Sequence, residues 1–147
     1  MEQFLFPSIV FAFSRRKELS PQNNLNGFYD FVQSLDKDIV ASVLGDRYVV
    51  FGEWLVAHTV QYTPEMYRKF YMYDVYDKEI EQYLPYEDTL AFYEKLKSAG
   101  VTEFVKTLYI GPYVSYEHLL SLLEENPYNA KPVSEGIVIK RQSQLAS

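Results

Sequence analysis

The apolar residues of this chain change between helical and strand spacing several times. Helical spacing over residues 28–43 predicts an amphipathic helix that breaks near Asp36 and stops at Gly45. Two more helices are predicted, one starting at Pro85 and one with Ser115 as its N-cap, and they run through Leu96 and Leu123.

Denser apolar runs, rich in β-branched and aromatic residues, predict strands. These runs lie at residues 4–6, 9–13, 47–56, 70–76, 105–110 and 134–140. Strands and helices mix without a regular βαβ alternation, so we expect an α+β fold with a largely antiparallel sheet and flanking helices. No internal repeat, low-complexity segment or long linker divides the chain, which predicts a single domain over residues 1–147.

Composition narrows the class of protein. The 147 residues are 48% apolar, 17% aromatic and 23% charged, which suits a chain that buries a core and argues against disorder. The absence of cysteine excludes a disulfide framework and thiolate chemistry. A net charge of −6 gives no broad basic surface, so nucleic-acid binding would have to use a local patch.

Nothing in the sequence predicts a membrane protein. The longest apolar stretch, residues 4–13, is interrupted by Pro7 and Ser8 and is shorter than the roughly 20 residues of a membrane span. The chain does not open with a basic segment like that of a secretory signal. We therefore expect a cytoplasmic protein without a membrane partner.

Three carboxylates lie in or beside the predicted strands, at Glu53, Asp74 and Glu135. An acid inside an apolar strand must be paired, hydrogen-bonded or metal-bound, whereas an acid at a strand end can simply face solvent. Gly52 and Gly136 adjoin two of these acids, and glycine in a strand allows a ligand or a neighbouring backbone to approach closely.

Several of these segments together resemble a known family. In chain order they are Phe13-Ser14-Arg15-Arg16-x-x-x-Leu19, Asn26-Gly27-Phe28, Gly52-Glu53-Trp54, His58-Thr59-Val60-x-Tyr62, Phe70-Tyr71-Met72-Tyr73-Asp74-Val75 and Glu135-Gly136-Ile137-Val138-Ile139-Lys140. Their order and spacing resemble the covalent nucleotidyltransferases, in particular the ATP-dependent RNA ligases. The resemblance implies a ligase-type nucleotidyltransferase (ATP-grasp-like) domain. Its chemistry is attack of a lysine on the ATP α-phosphate, transfer of AMP to a 5′-phosphate end and sealing by a 3′-hydroxyl, as in RNA repair.

The resemblance also implies the residues that bind the nucleotide. Glu53 would accept hydrogen bonds from the ribose hydroxyls, and Tyr73 would stack on the adenine. Arg15 would bind phosphate oxygens, with Arg16 as an adjacent candidate. Lys140 would reach a phosphate or would merely be the polar end of a strand.

The cofactors implied are ATP and Mg²⁺, with Glu135 as the carboxylate that binds the metal. The family's Lys-x-Asp-Gly motif, which supplies the nucleophile, occurs nowhere in these 147 residues, and the family's closing Lys-x-Lys motif does not follow residues 135–140. No catalytic residue is therefore identified. We expect a partial domain, inactive alone, whose origin stays open among a truncated reading frame or an artificially shortened chain, a fragment completed by another chain, and a degenerate homologue.

Several functions remain open. The expected partners are RNA or other nucleic-acid ends, together with self-association or a chain that supplies missing strands. The alternatives are a non-catalytic module that binds nucleotides or nucleic-acid ends, a DNA-ligase or capping-type transferase fragment, and an unrelated aromatic-rich interaction domain.

Overall fold

A computed structural model of the chain describes residues 10–14, 17–56, 61–125 and 139–140. In these ranges lie the helices α1 (Phe28–Ser34), α2 (Lys37–Leu44), α3 (Tyr86–Leu96) and α4 (Tyr116–Glu124). The strands are β1 (Tyr48–Trp54), β2 (Phe70–Asp77), β3 (Gln82–Tyr83) and β4 (Glu103–Phe104), and short 3₁₀ turns lie at Pro64–Met66 and Lys97–Ala99. The predicted α+β class is confirmed.

Strand β2 is the centre of the sheet. β1 runs antiparallel to it along its whole length, from Trp54 opposite Phe70 to Tyr48 opposite Asp77. β3 pairs antiparallel with the end of β2, and β4 pairs in parallel with its start. Since β1 occupies one edge of β2 completely, β3 and β4 share the other edge.

The predicted helix boundaries follow from residues with specific backbone roles. The helix over residues 28–43 breaks where expected, because the Asp36 carboxylate caps α2 by accepting from the Ile39 N–H at 3.2 Å. Gly45 ends α2. Pro85 precedes α3, and Ser115 caps α4 by accepting from the His118 N–H at 3.0 Å.

The core lies between the sheet and the helices. Met72 and Val75 of β2 are completely buried and pack with Leu96 of α3 and Val40 of α2. Burying such side chains stabilises the fold by about 1.5–3 kcal/mol each. The buried core cluster comprises Val40, Phe70, Met72, Val75, Leu84, Tyr93, Leu96, Ala99 and Val101.

The strand predicted over residues 105–110 is wrong, and the short strand β3 was missed. No strand lies over residues 105–110. The chain pairs with β2 just before them, in the two-residue β4 at Glu103–Phe104, and a bond from the Val105 N–H to the Met72 carbonyl ends the pairing. The following residues are largely exposed, and apolar density alone does not distinguish a strand from an extended surface segment. Strand β3 was not predicted, because two residues leave no periodicity to detect.

The outer strand predictions are only partly covered. Residues 10–13 of the predicted strand 9–13 contribute a single bridge, between Phe13 and Glu18. Ile139 and Lys140 are not in a strand. The predicted strand at 4–6, residue 9 and residues 134–138 lie outside the described residues.

Gly52 is required by close packing between β1 and β2. A Cβ at this position would lie 2.4 Å from the Phe70 ring and 2.6 Å from the Tyr71 carbonyl oxygen. Glycine in a strand was expected to admit either a ligand or a neighbouring backbone, and at Gly52 it is the neighbouring strand β2 that approaches closely.

No helix in the described part of the chain is long and apolar enough to cross a membrane.

One end of the β1–β2 pair is closed by an ion pair. Arg47 donates two hydrogen bonds of 2.8 Å to the carboxylate of Asp77, whose side chain is 2% exposed. This bond lowers the pKa of Asp77 and raises the pKa of Arg47. Glu79 also contacts Arg47, at 3.1 Å, but its side chain is 67% exposed.

We expect Asp77→Asn to lower the free energy of unfolding near neutral pH. A depressed folded pKa stabilises the fold above the ordinary aspartate pKa of about 3.9, and this contribution disappears as the pH falls through the folded pKa. The difference between wild type and variant should therefore shrink below about pH 4 in urea unfolding series. Glu79→Gln is the matched control and should cost little, because exposed pairs contribute little. A difference that persists at low pH, or an equal cost for Glu79→Gln, would contradict this assignment.

Candidate functional site

The central strand carries a β-bulge at Tyr73. Phe51 lies opposite Asp74 and Gly52 lies opposite Met72, so Tyr73 is the extra residue in β2. Its side chain is half-buried. Bulges re-aim a side chain and are frequent beside functional sites. The predicted adenine-stacking residue therefore occupies the position where β2 departs from regular pairing.

The outer edge of β2 is hydrogen-bonded on either side of Tyr73 and Asp74. The Leu84 N–H donates to the Val75 carbonyl at 2.8 Å, and the Val105 N–H donates to the Met72 carbonyl at 3.0 Å. Between these two bonds lie Tyr73 and Asp74, with which no described strand pairs at this edge.

The ammonium of Lys140 contacts this part of β2. It donates to the Tyr73 carbonyl at 3.3 Å, to Asp74 Oδ1 at 2.6 Å and to Thr89 Oγ1 at 2.8 Å. The Lys140 and Asp74 side chains are only 13% and 15% exposed. An ammonium has three N–H donors, and here each one has an acceptor.

Asp74 thereby meets the requirement for an acid inside an apolar strand. It is paired with Lys140, and its Oδ1 also accepts from the Val75 N–H at 3.2 Å. The expectation that such an acid must be paired or hydrogen-bonded is confirmed for this residue. Glu53 lies near the end of β1, and its side chain is exposed.

The Asn26-Gly27 turn is attached to the end of β1 beside Glu53. The Asn26 carbonyl accepts from the Trp54 indole at 3.2 Å and from the Arg68 guanidinium at 2.9 Å. Gly27 has φ +98°, and a Cβ there would lie 3.2 Å from that guanidinium. Both the conformation and the contact favour glycine. Two segments of the resemblance, Asn26-Gly27-Phe28 and Gly52-Glu53-Trp54, therefore meet in space.

An aromatic cluster supports this junction from the core side. The Phe28 ring lies 5.4 Å from the rings of both Trp54 and Phe70. Phe31 packs against Trp54 at 5.5 Å and against Phe70 at 6.1 Å. Aromatic pairs of this kind contribute about 0.5–1.5 kcal/mol each beyond their buried area. The end of β1 that carries Glu53 is consequently packed against this aromatic cluster through Trp54.

The predicted site residues divide into two groups. Tyr73 and Lys140 are in contact through the Tyr73 carbonyl. Glu53 lies on the neighbouring strand β1, directly after Gly52, which pairs with the residue before the bulge. Outside the described residues lie Arg15, its neighbour Arg16, Glu135 and residues 58–60 of the resemblance.

Within the described ranges, no group of three or more His, Asp or Glu side chains is placed to hold a metal ion. Mg²⁺ on a nucleotide needs only one or two protein carboxylates besides phosphate and water oxygens. The donor chemistry expected of Glu135 thus suits the ion.

Thr89 is a site residue that sequence reasoning missed. It lies in the first turn of α3 and is completely buried, yet its hydroxyl binds Lys140. A threonine within a helical apolar pattern is indistinguishable from a packing residue. The one available signal was that Lys140 and Asp74 both lie in apolar segments. This indicates that the two charges pair, but it does not reveal Thr89 as a third partner.

Comparison with known proteins identifies the family. The RNA ligase family matches residues 3–146 of the chain. Neither the curated proteins nor the solved structures contain a match. The family match covers nearly the whole sequence and agrees with the segments that meet around β1 and β2, so this chain belongs to the RNA ligase family.

Proposed function

We propose that this chain is an RNA-ligase-like nucleotidyltransferase domain that binds ATP with Mg²⁺ and, when a nucleophilic lysine is supplied, acts on RNA ends in the cytoplasm, but is inactive alone. The observation that carries the proposal is the bulge at Tyr73, which lies across from the strand of Glu53 and is bound by Lys140. An aromatic ring and a carboxylate on adjacent strands suit the base and the ribose of one nucleotide.

In this proposal each residue makes one kind of contact with the nucleotide. Tyr73 stacks on the adenine, and Glu53 accepts hydrogen bonds from the ribose hydroxyls. Arg15 binds phosphate oxygens through its planar fork of donors. Glu135 would hold Mg²⁺ together with phosphate and water oxygens. ATP, when bound, supplies the adenylyl group.

Lys140 acts in this proposal through the protein rather than on phosphorus. Its three N–H groups donate to Tyr73, Asp74 and Thr89, so none of them is left to bind a phosphate. Its contribution to nucleotide binding is to hold the bulge that bears Tyr73. This use replaces the direct phosphate contact that the resemblance implies for Lys140.

A second candidate is a binding module without catalysis. It is favoured by one observation, the absence of Lys-x-Asp-Gly from the 147 residues. Both candidates share the same nucleotide contacts, and they differ only in whether AMP becomes covalently attached once a nucleophilic lysine is supplied.

Tyr73→Ala should weaken ATP binding by about 5- to 150-fold, because stacking of an aromatic side chain on a base contributes about 1–3 kcal/mol. Titration calorimetry with ATP and Mg²⁺ measures the change. Tyr73→Phe should bind within about twofold of wild type, since the ring is retained. Tyr83→Ala is the matched control, because this 50% exposed tyrosine lies on β3 of the same sheet. Equal affinities for Tyr73→Ala and Tyr83→Ala would exclude Tyr73 from the adenine site.

The purified chain should not become adenylylated on its own. After incubation with ATP and Mg²⁺, its intact mass should be unchanged, because none of its lysines lies in the nucleophile motif. A gain of one AMP, mapped to a lysine by peptide digestion, would overturn this expectation. An unchanged mass together with no measurable ATP affinity would contradict the proposed function itself.

A further inference from the structure

Thr89 connects helix α3 to the bulge in β2. Its hydroxyl is fully buried and donates to the Pro85 carbonyl at 3.0 Å, with the Leu84 carbonyl at 3.3 Å. The same oxygen accepts from the Lys140 ammonium at 2.8 Å. The hydroxyl is thus used both as a donor within the helix start and as an acceptor for a charged group.

The position of Lys140 depends on this acceptor. The ammonium is held by a carboxylate, a backbone carbonyl and a hydroxyl, and its side chain is 13% exposed. Without the Thr89 oxygen, one N–H of a largely buried cation loses its partner, which is unfavourable. The cation would then move toward water or toward another acceptor, and its bond to the Tyr73 carbonyl is the longest of the three.

Packing alone does not explain threonine at this position. Valine has nearly the same shape and would fill the same buried space, but it cannot accept a hydrogen bond. The feature that distinguishes Thr89 from valine is therefore its hydroxyl oxygen, which accepts from Lys140.

We infer that Thr89 is a positioning residue for nucleotide binding, which acts by fixing the Lys140 ammonium and, through it, the backbone of Tyr73. This inference rests on the proposed function, because it assigns Tyr73 to the adenine. Thr89 itself does not touch the nucleotide.

The test compares Thr89→Val, which removes the oxygen, with Thr89→Ser, which keeps it. ATP affinity is measured by calorimetry, and the Tyr73 ring is observed by NMR of ¹³C-tyrosine-labelled protein, with its signal assigned from Tyr73→Phe. Thr89→Val should weaken ATP binding about 5-fold or more, the lower end of coupling between sites, and should shift the Tyr73 signal. Thr89→Ser should bind ATP within about twofold of wild type and should leave the signal in place.

The outcomes separate this inference from the proposed function. If wild type binds ATP and Thr89→Val binds equally well with an unshifted Tyr73 signal, the inference is wrong and the nucleotide site stands. If wild type binds no ATP, the proposed function is wrong and with it the role in nucleotide binding, whereas the Tyr73 signal still decides whether Thr89 positions that ring. A lower melting temperature without either change indicates a structural role only and overturns the inference. Should Thr89→Val fail to fold, Thr89→Ala removes the same oxygen and is read in the same way.

Discussion

The hydrogen bonding of the Lys140 ammonium beside the bulge in β2 is the interaction on which the candidate site depends. Strands β3 and β4 bind either end of the outer edge of β2 and leave Tyr73 and Asp74 between them. A lysine 66 residues after Asp74 donates to both of these residues, and a hydroxyl from α3 completes its set of acceptors. Strand, helix and distant segment are thereby joined at one nitrogen atom.

The other side of the site depends on aromatic packing rather than charge. Trp54 packs in the cluster with Phe28, Phe31 and Phe70, while its indole N–H holds the Asn26 carbonyl. The turn that precedes α1 and the strand that bears Glu53 are therefore fixed to one another. Lys140 holds the backbone of Tyr73, and the aromatic cluster holds the end of β1 that carries Glu53. The Tyr73 ring and the Glu53 carboxylate are thereby placed on neighbouring strands. Such preorganisation lowers the cost of ordering these groups when a ligand binds.

The parts of the fold that could be predicted are those marked by residues with a particular backbone role. Asp36 and Ser115 cap helices, and Gly45 ends one, so these boundaries agree with the structure. The strand over residues 105–110 could not be predicted correctly, because its apolar density does not reveal that the chain leaves the sheet after Val105. For the site, motif order singled out Glu53 and Tyr73. The bulge and the contact of Lys140 with Thr89 depend on pairings between distant segments, which local pattern does not contain.

A crystal structure of the chain with ATP and Mg²⁺ is the decisive measurement, because it shows both the nucleotide and the atoms that Lys140 binds. We predict the adenine against the ring of Tyr73, the ribose hydroxyls on the Glu53 carboxylate, and the Lys140 ammonium still on the Tyr73 carbonyl and Thr89. A nucleotide bound away from Tyr73, or a Lys140 ammonium turned onto the phosphates, would contradict the proposed site.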